Sequence, residues 1–196
     1  MTGRFDREYY RQFYLDPRTA VISRAEMRER AGLIAAYARH IGLPVRSILD
    51  AGCGIGLLRA PLRRAFPRAA WTGLEYSEYL CQRYGWTQGS LATFRAEPFD
   101  LVVCYDVLQY LDDRTAVRAL ANLGRLCQGA LYFSVLTAGD WRRNADRSRT
   151  DGDGVRLRPA SWYKSRLARQ FRPLGGGLLA RRGYDPLLWE LEKPWS

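Results

Sequence analysis

The sequence is short of metal-binding side chains. It has one histidine, His40, and four cysteines, Cys53, Cys81, Cys104 and Cys127, with no C-x-x-C pair among them. That set excludes the usual zinc-ligand spacings, and no metal is expected. Cys104 and Cys127 stand in apolar runs, which suits buried thiols in a reducing cytoplasm. No run of about 18 apolar residues occurs, so no membrane span is expected. Met1 to Arg11 is polar and charged and lacks the apolar stretch of a secretory signal. Lysine is almost missing: Lys164 and Lys193 stand among 31 basic residues, and the rest are arginine. The net charge of +11 comes without any block of about five or six like charges. Scattered arginines suit solvated faces better than a nucleic-acid footprint. There is no internal repeat and no low-complexity tract.

What is present is enough for one domain with a full core: 196 residues, 47% of them hydrophobic. Met1 to Pro17 carries Phe5, Tyr9, Tyr10, Phe13 and Tyr14. Tyr9 with Phe13 and Tyr10 with Tyr14 are spaced to share a helix face. The segment reads as a short helix pinned by its aromatic side, or as a flap with a tyrosine hydroxyl over a site. Ser23 to Ile41 reads as an amphipathic helix, opened by a Ser23/Glu26 capping box and stopped by Gly42. His40, in its last turn, is expected to be structural.

From residue 47 onward strands and helices alternate. Ser47 to Asp50 is expected to be a strand, followed by the glycines 52, 54 and 56 and a helix from Leu57 to Phe66. Trp71 to Glu75 is a second strand, Tyr76 to Tyr84 a helix, and Thr87 to Leu91 a short third strand and turn. Phe99 to Tyr105 has the continuous apolar character of a central parallel strand. Arg114 to Cys127 is a helix, and Ala130 to Leu136 a fifth strand. This alternation predicts an α/β fold: a doubly wound, Rossmann-like sheet, mostly parallel, with helices on both faces. Periodicity vanishes from Thr137 to Arg158. Ser161 to Phe171 reads as a helix and Gly175 to Gly177 as a flexible turn. Leu178 to Gly183 and Leu187 to Glu192 read as a closing antiparallel hairpin turning at Asp185-Pro186.

The spacing of the polar residues points to a nucleoside cofactor. Asp50-x-Gly52-x-Gly54-x-Gly56 follows the first strand, where glycines let backbone N–H groups approach a ligand. Glu75 ends the second strand, where a carboxylate can accept both hydroxyls of a ribose. Ser90 and Leu91 follow the third, and Cys104 to Gln109 the fourth. All of these fall on one edge of the expected sheet. The dinucleotide pattern G-x-G-x-x-G would need glycine at 57, where leucine stands, so a dehydrogenase is disfavoured.

Over residues 30 to 136 the chain resembles the class I S-adenosylmethionine-dependent methyltransferases. The resemblance is carried by I-L-D-A-G-C-G-I-G (48–56), G-L-E (73–75), G-S-L (89–91) and F-D-L-V-V-C-Y-D-V-L-Q-Y-L (99–111). It implies S-adenosylmethionine as cofactor, with S-adenosylhomocysteine as product. It also implies roles for single residues. Asp50 and the turn Gly52, Cys53 and Gly54 would face the methionine part, Glu75 would hold the ribose, and Tyr76, Ser90 and Leu91 the adenine, with Gly56 and Cys104 also counted among the cofactor-binding residues. Many members have aspartate at the place of Ser90, and histidine at that of Gln109 or Tyr110; their absence leaves no obvious general base.

Candidates for proton removal are Asp106, Tyr110 and Tyr10. The acceptor is expected to be a small molecule bound by Tyr14, Trp141, Arg142 and Trp162, with lid arginines meeting a carboxylate or phosphate. The sequence after the fourth strand is Asp106-Val107-Leu108-Gln109, not the D/N-P-P-Y/F of base-modifying enzymes, so a nucleic-acid acceptor is possible but not favoured. An RNA or protein methyltransferase, or a cofactor-binding regulatory module without transferase activity, stay open as alternatives. The expected organisation is a single domain, 1–196, existing as monomer or homodimer. Residues 1–45 would be a helical cap, 46–136 the cofactor-binding core, 137–160 a substrate lid loop, and 161–196 a helix and hairpin.

Overall fold

A computed structural model describes residues 5–16, 18–147, 150, 152 and 154–193. Residues 1–4 of the polar N-terminus, Pro17 and part of the expected lid lie outside the described residues.

The strands are β1 (Ser47–Ala51), β2 (Ala70–Glu75), β3 (Thr87–Gln88), β4 (Phe99–Tyr105), β5 (Cys127–Ser134), β6 (Phe171–Gly175) and β7 (Leu178–Arg181). They form one seven-stranded sheet in the order β3-β2-β1-β4-β5-β7-β6. β1 to β5 run parallel, and β7 lies antiparallel between β5 and β6. Strand order reverses between β1 and β4, so the crevice of this doubly wound sheet opens at their carboxyl ends.

Alternation along the strands builds two cores. Leu101 and Val103 of β4 face one way with Ile48, and pack under α2 (Arg24–His40) and α3 (Arg59–Ala65). Val102 and Cys104 face the other way with Leu49 and Ala51, under α5 (Asp113–Leu126) and α7 (Ala160–Leu167). Helices cover both faces, as a parallel sheet requires. All four cysteines are buried and free. α2 starts with the full capping box: Glu26 N–H donates to Ser23 Oγ at 3.1 Å, and Ser23 N–H to Glu26 Oε2 at 2.6 Å.

Several elements differ from the sequence expectation. The closing hairpin is β6–β7, not 178–183 with 187–192. Its turn is Gly176-Gly177, at φ +56° and +83°, the tight turn that twists correctly between antiparallel strands. The expected helix 161–171 therefore ends at Leu167, and the buried Phe171 opens a strand instead. Leu187 to Glu192 is not a strand; Leu187, Trp189 and Leu191 are exposed there. β3 stops at Gln88, leaving Ser90 and Leu91 in the turn after it. The helix after the glycine turn starts at Arg59. The expected lid loop opens with a helix, α6 (Ala138–Arg143), capped by Thr137, whose Oγ1 accepts the Asp140 N–H at 3.1 Å.

The N-terminal segment is α1 (Arg7–Tyr10) running into a wider π-type turn, Arg11–Leu15. Tyr9 and Phe13 rings stand 4.9 Å apart and Tyr10 and Tyr14 5.5 Å. His40 lies away from the crevice, with Nε2 2.7 Å from Glu192 Oε1.

Candidate active site

A cavity of about 990 Å³ opens over the carboxyl ends of β1, β2 and β4. Register sets its floor: Ala51 pairs with Leu74 on one side and Cys104 on the other, so Gly52, Glu75 and Tyr105 emerge level, with Asp106 next along the chain.

The glycine turn is built to be approached. Gly52 has φ +78°, and a Cβ there would stand 2.3 Å from Val107 Cγ2. Gly54 has φ +53° with nothing within 4 Å of a Cβ position, so its face is left open to a ligand. Trp86 Nε1–H donates to Gly54 O at 3.0 Å from behind. Glu75 sits 6% exposed at the end of β2. Its Oε2 accepts Gly54 N–H at 2.8 Å, and its Oε1 accepts Tyr76 N–H at 2.8 Å and Ser77 N–H at 2.9 Å. Three N–H donors fix the carboxylate, and each oxygen keeps acceptor capacity toward the cavity.

Asp50 is buried beneath the same turn, and its Oδ2 has no hydrogen-bond partner. Burial, with Glu75 nearby, pushes its carboxyl up to about 7. A buried carboxylate oxygen without a donor fits a cationic group arriving from the cavity. Ser90 Oγ accepts Ala92 N–H at 3.3 Å, and Asn122, 1% exposed on α5, donates to Leu91 O at 2.7 Å and Phe94 O at 2.9 Å. That buried amide holds the 90–94 turn at the cavity rim.

On the other side, Asp106 has φ +55°, and its N–H donates to Ser134 O at 3.0 Å. The turn aims its carboxyl into the crevice. Burial raises its pKa against hydrogen bonds from Tyr105 and Gln109 and the charge of Arg30, and Asp140 raises it further. Segment 108–111 is held by Arg158, 6% exposed. Its Nη1 donates to Leu108 O at 3.0 Å and Tyr163 Oη at 3.1 Å, its Nη2 to Leu111 O at 2.6 Å, and its Nε to Asp113 Oδ1 at 2.9 Å. Arg156 N–H donates to Gln109 O at 2.7 Å. The N-terminal tyrosines close the top: Tyr9, Tyr10 and Tyr14 line the cavity, with Tyr9 Oη 3.4 Å from Tyr110 Oη. Burial raises the pKa of both Tyr10 and Tyr14.

The lining thus brings together Asp50, Gly52, Cys53, Gly54, Glu75, Tyr76, Ser90, Leu91, Asp106, Tyr110, Tyr10 and Tyr14. Five expected residues are not part of it. Cys104 lies fully buried within β4. Gly56 backs onto the Trp86 ring, 2.8 Å from its Cβ position. Trp162 packs under the guanidinium of Arg166, 3.9 Å from its ring centre, and of Arg158, at 4.8 Å. Trp141 lies beneath Arg147, and Arg142 is exposed. Sequence reasoning missed Gln109 as a lining group, Asn122, Arg156 and Arg158. Asn122 and Arg158 sit in a helix and a loop where most polar residues are solvated, so no local signal sets them apart.

A glycine turn at the strand switch point, with an acid ending the next strand, defines an α/β protein that binds a nucleoside-type cofactor. Residues 49–129 match the family model described as a methyltransferase domain. That match covers 81 of the 196 residues and, with the fold, makes the chain similar to the class I S-adenosylmethionine-dependent methyltransferases, whose cofactor suits the residues gathered here. Comparison with curated proteins gives no match. Solved structures share the fold. An O-methyltransferase family protein from Burkholderia thailandensis gives a TM-score of 0.59 at 18% identity, over 91% of this chain and 63% of its own. The chain thus spans less than two thirds of that protein. Magnesium protoporphyrin IX methyltransferase from Synechocystis PCC 6803, solved with bound S-adenosylmethionine, gives 0.60 at 20% over 89% and 94%. DesVI from Streptomyces venezuelae gives 0.60 at 20% over 89% and 96%. Among the described residues there is no metal-binding cluster and no helix long and apolar enough to cross a membrane.

Proposed function

We propose that the protein transfers a methyl group to a small-molecule acceptor in the cytoplasm by direct in-line displacement. The observation that carries this reading is the single cavity region running from the Gly52–Gly54 turn and Glu75 to Asp106 and the tyrosine wall. Its size suits a cofactor with a small partner, and the N-terminal aromatics narrow its entrance.

S-adenosylmethionine supplies an electrophilic methyl on a cationic sulfur. The chain's part is to hold and to shield. Asp50 and the open face of Gly54 receive the charged amino-acid end. Glu75, already fixed by three backbone N–H groups, accepts the ribose hydroxyls. Leu91 and Tyr76 flank the base. Asp106 and the tyrosines orient the acceptor, and their packing excludes water from the line of transfer. In this reading residues 1–45 cap the cavity, 46–136 bind cofactor, and segment 137–160 covers the acceptor side.

Calorimetric titration with S-adenosylmethionine, with nicotinamide dinucleotide as control, tests the first half. Micromolar binding of the former alone is expected. Methyl transfer from labelled cofactor into a metabolite extract, filtered to remove macromolecules, tests the second. Label incorporated instead into RNA or protein would overturn the small-molecule assignment.

A further inference from the structure

The chain carries 31 arginine and lysine residues against 20 acids, yet its cavity has the opposite balance. Among the described lining residues Arg156 is the one arginine or lysine, and its charge adds to the Thr115 hydrogen bonds that chiefly lower the pKa of Asp112. Asp50 and Glu75 belong to the cofactor. Glu26 is taken up by the α2 capping box, and Asp146 lies farther along the lid segment; Asp106 and Asp140 remain, and Asp106 feels the charge of Asp140. Asp140 is hydrogen-bonded by Thr137 Oγ1 at 2.6 Å and Asn144 Nδ2 at 2.9 Å, both neutral donors, and feels the charge of Arg143 on its own helix. Arg30 stands behind, its guanidinium 4.4 Å over the Tyr105 ring and its Nη1 donating to Tyr132 Oη at 2.6 Å.

A second, independent observation is Gln109. It lines the cavity at 3% exposure, and its Oε1 has no hydrogen-bond partner. Its amide contributes a hydrogen bond to Asp106, which leaves the carbonyl oxygen as a buried acceptor without a donor.

We infer that the acceptor is a basic amine, docked as its ammonium between Asp106, Asp140 and Gln109 Oε1 and walled by the rings of Tyr14, Tyr105 and Tyr110. The inference rests on the methyltransferase reading above. Arg30 and Arg143 act on the two carboxylates by charge alone, without a hydrogen bond, so an ammonium gives N–H donors to Gln109 and a charge in direct contact with both acids, with tyrosine faces adding cation–π attraction. A carboxylate or phosphate acceptor would meet like charge there. The lid arginines expected to meet such a group, Arg142, Arg143 and Arg147, are exposed instead.

The step balances without a further reagent. The bound ammonium gives one proton to the Asp106 carboxylate, which passes it to water. The freed nitrogen lone pair forms the N–CH3 bond as the methyl–sulfur bond breaks. Sulfur keeps that electron pair and becomes the thioether of S-adenosylhomocysteine, and the product leaves as the methylated ammonium.

The test uses the full chain saturated with S-adenosylhomocysteine. Two matched sets are titrated by calorimetry: benzylamine, benzyl alcohol and benzoate, then hexylamine, hexanol and hexanoate. On at least one frame the amine is expected to bind tenfold or more tighter than the alcohol, with the carboxylate weakest. Asp106→Asn, which tolerates the left-handed backbone, should cut that advantage to under threefold while cofactor affinity changes less than threefold. Gln109→Leu serves as the second variant and should also weaken the amine alone. An alcohol or carboxylate that equals the amine overturns the inference. So does the failure of both amines on a protein that binds S-adenosylhomocysteine. Failure to bind S-adenosylhomocysteine itself would instead remove the underlying reading, and this one with it.

Discussion

Glu75 Oε2 accepts the N–H of Gly54 at 2.8 Å, so the acid that ends β2 and the glycine turn that follows β1 form one unit before any ligand arrives. A cofactor therefore meets a turn already shaped. The cost of arranging it is met within the fold, by N–H groups that would otherwise be buried without acceptors.

Glu75→Ala should damage cofactor binding and stability together. Gly54, Tyr76 and Ser77 would lose their acceptor. Cofactor affinity is expected to fall by tenfold or more, about 1.4 kcal/mol upward. Stability should drop by about 1–3 kcal/mol in chemical denaturation. Unchanged cofactor affinity would show that the ribose is held elsewhere.

Two glycine substitutions should separate fold from ligand. Gly52→Ala puts a methyl 2.3 Å from Val107 Cγ2 at φ +78°, and should lower the melting temperature by several degrees. Gly54→Ala meets open space at φ +53° and should cost about 1 kcal/mol of stability. Its larger effect should be on the cofactor, whose approach the methyl obstructs. Calorimetry beside thermal melts checks both.

Asp50 ties stability to pH. Its folded carboxyl titrates at about 7, against an ordinary value near 3.8. The contribution is fully present below about pH 4, where both states are protonated. It is lost as pH rises to about 7, because the unfolded chain ionises first, and the loss is on the order of 4 kcal/mol. Asp50→Asn should not show this loss in denaturation run from pH 4 to 8. Cofactor affinity should move the other way in the parent protein, rising from pH 5.5 to 7.5 as Asp50 ionises, and stay flat in the variant.

Arg158→Met should destabilise by about 2–4 kcal/mol, since Leu108 O and Leu111 O lose a buried donor. Its exposed partner, Asp113, is a different matter. The Asp113→Ala change should cost under about 1 kcal/mol, because that carboxyl is largely in water. Equal costs for the two variants would mean that the ion pair, not the carbonyl clamp, holds segment 108–111.

Much of this was legible in the chain itself. Strand and helix alternation from Ser47 to Ser134 rests on local periodicity and on capping signals such as Ser23/Glu26, so the parallel half of the sheet could be read directly. The glycine turn and Glu75 were also readable, because their spacing follows from strand-turn-helix geometry. The hairpin was misplaced because Leu187 to Glu192 has strand-like composition, whereas pairing went to Phe171–Gly175. There Gly176-Gly177 supplies the two left-handed residues that a tight turn needs.

The sequence by itself determined the parallel sheet, the glycine turn and the acid after β2, because each depends on residues close together in the chain. Tertiary structure alone decided which side chains face the cavity. Arg142 and Trp162 looked suited to a ligand, yet one ended in solvent and the other beneath two guanidinium groups. Gln109 and Asp140 looked ordinary and ended beside Asp106. Charge balance shows the difference most plainly. A chain of net +11 encloses a cavity whose charged lining residues are nearly all carboxylates, because composition counts charges and only the fold assigns them a side.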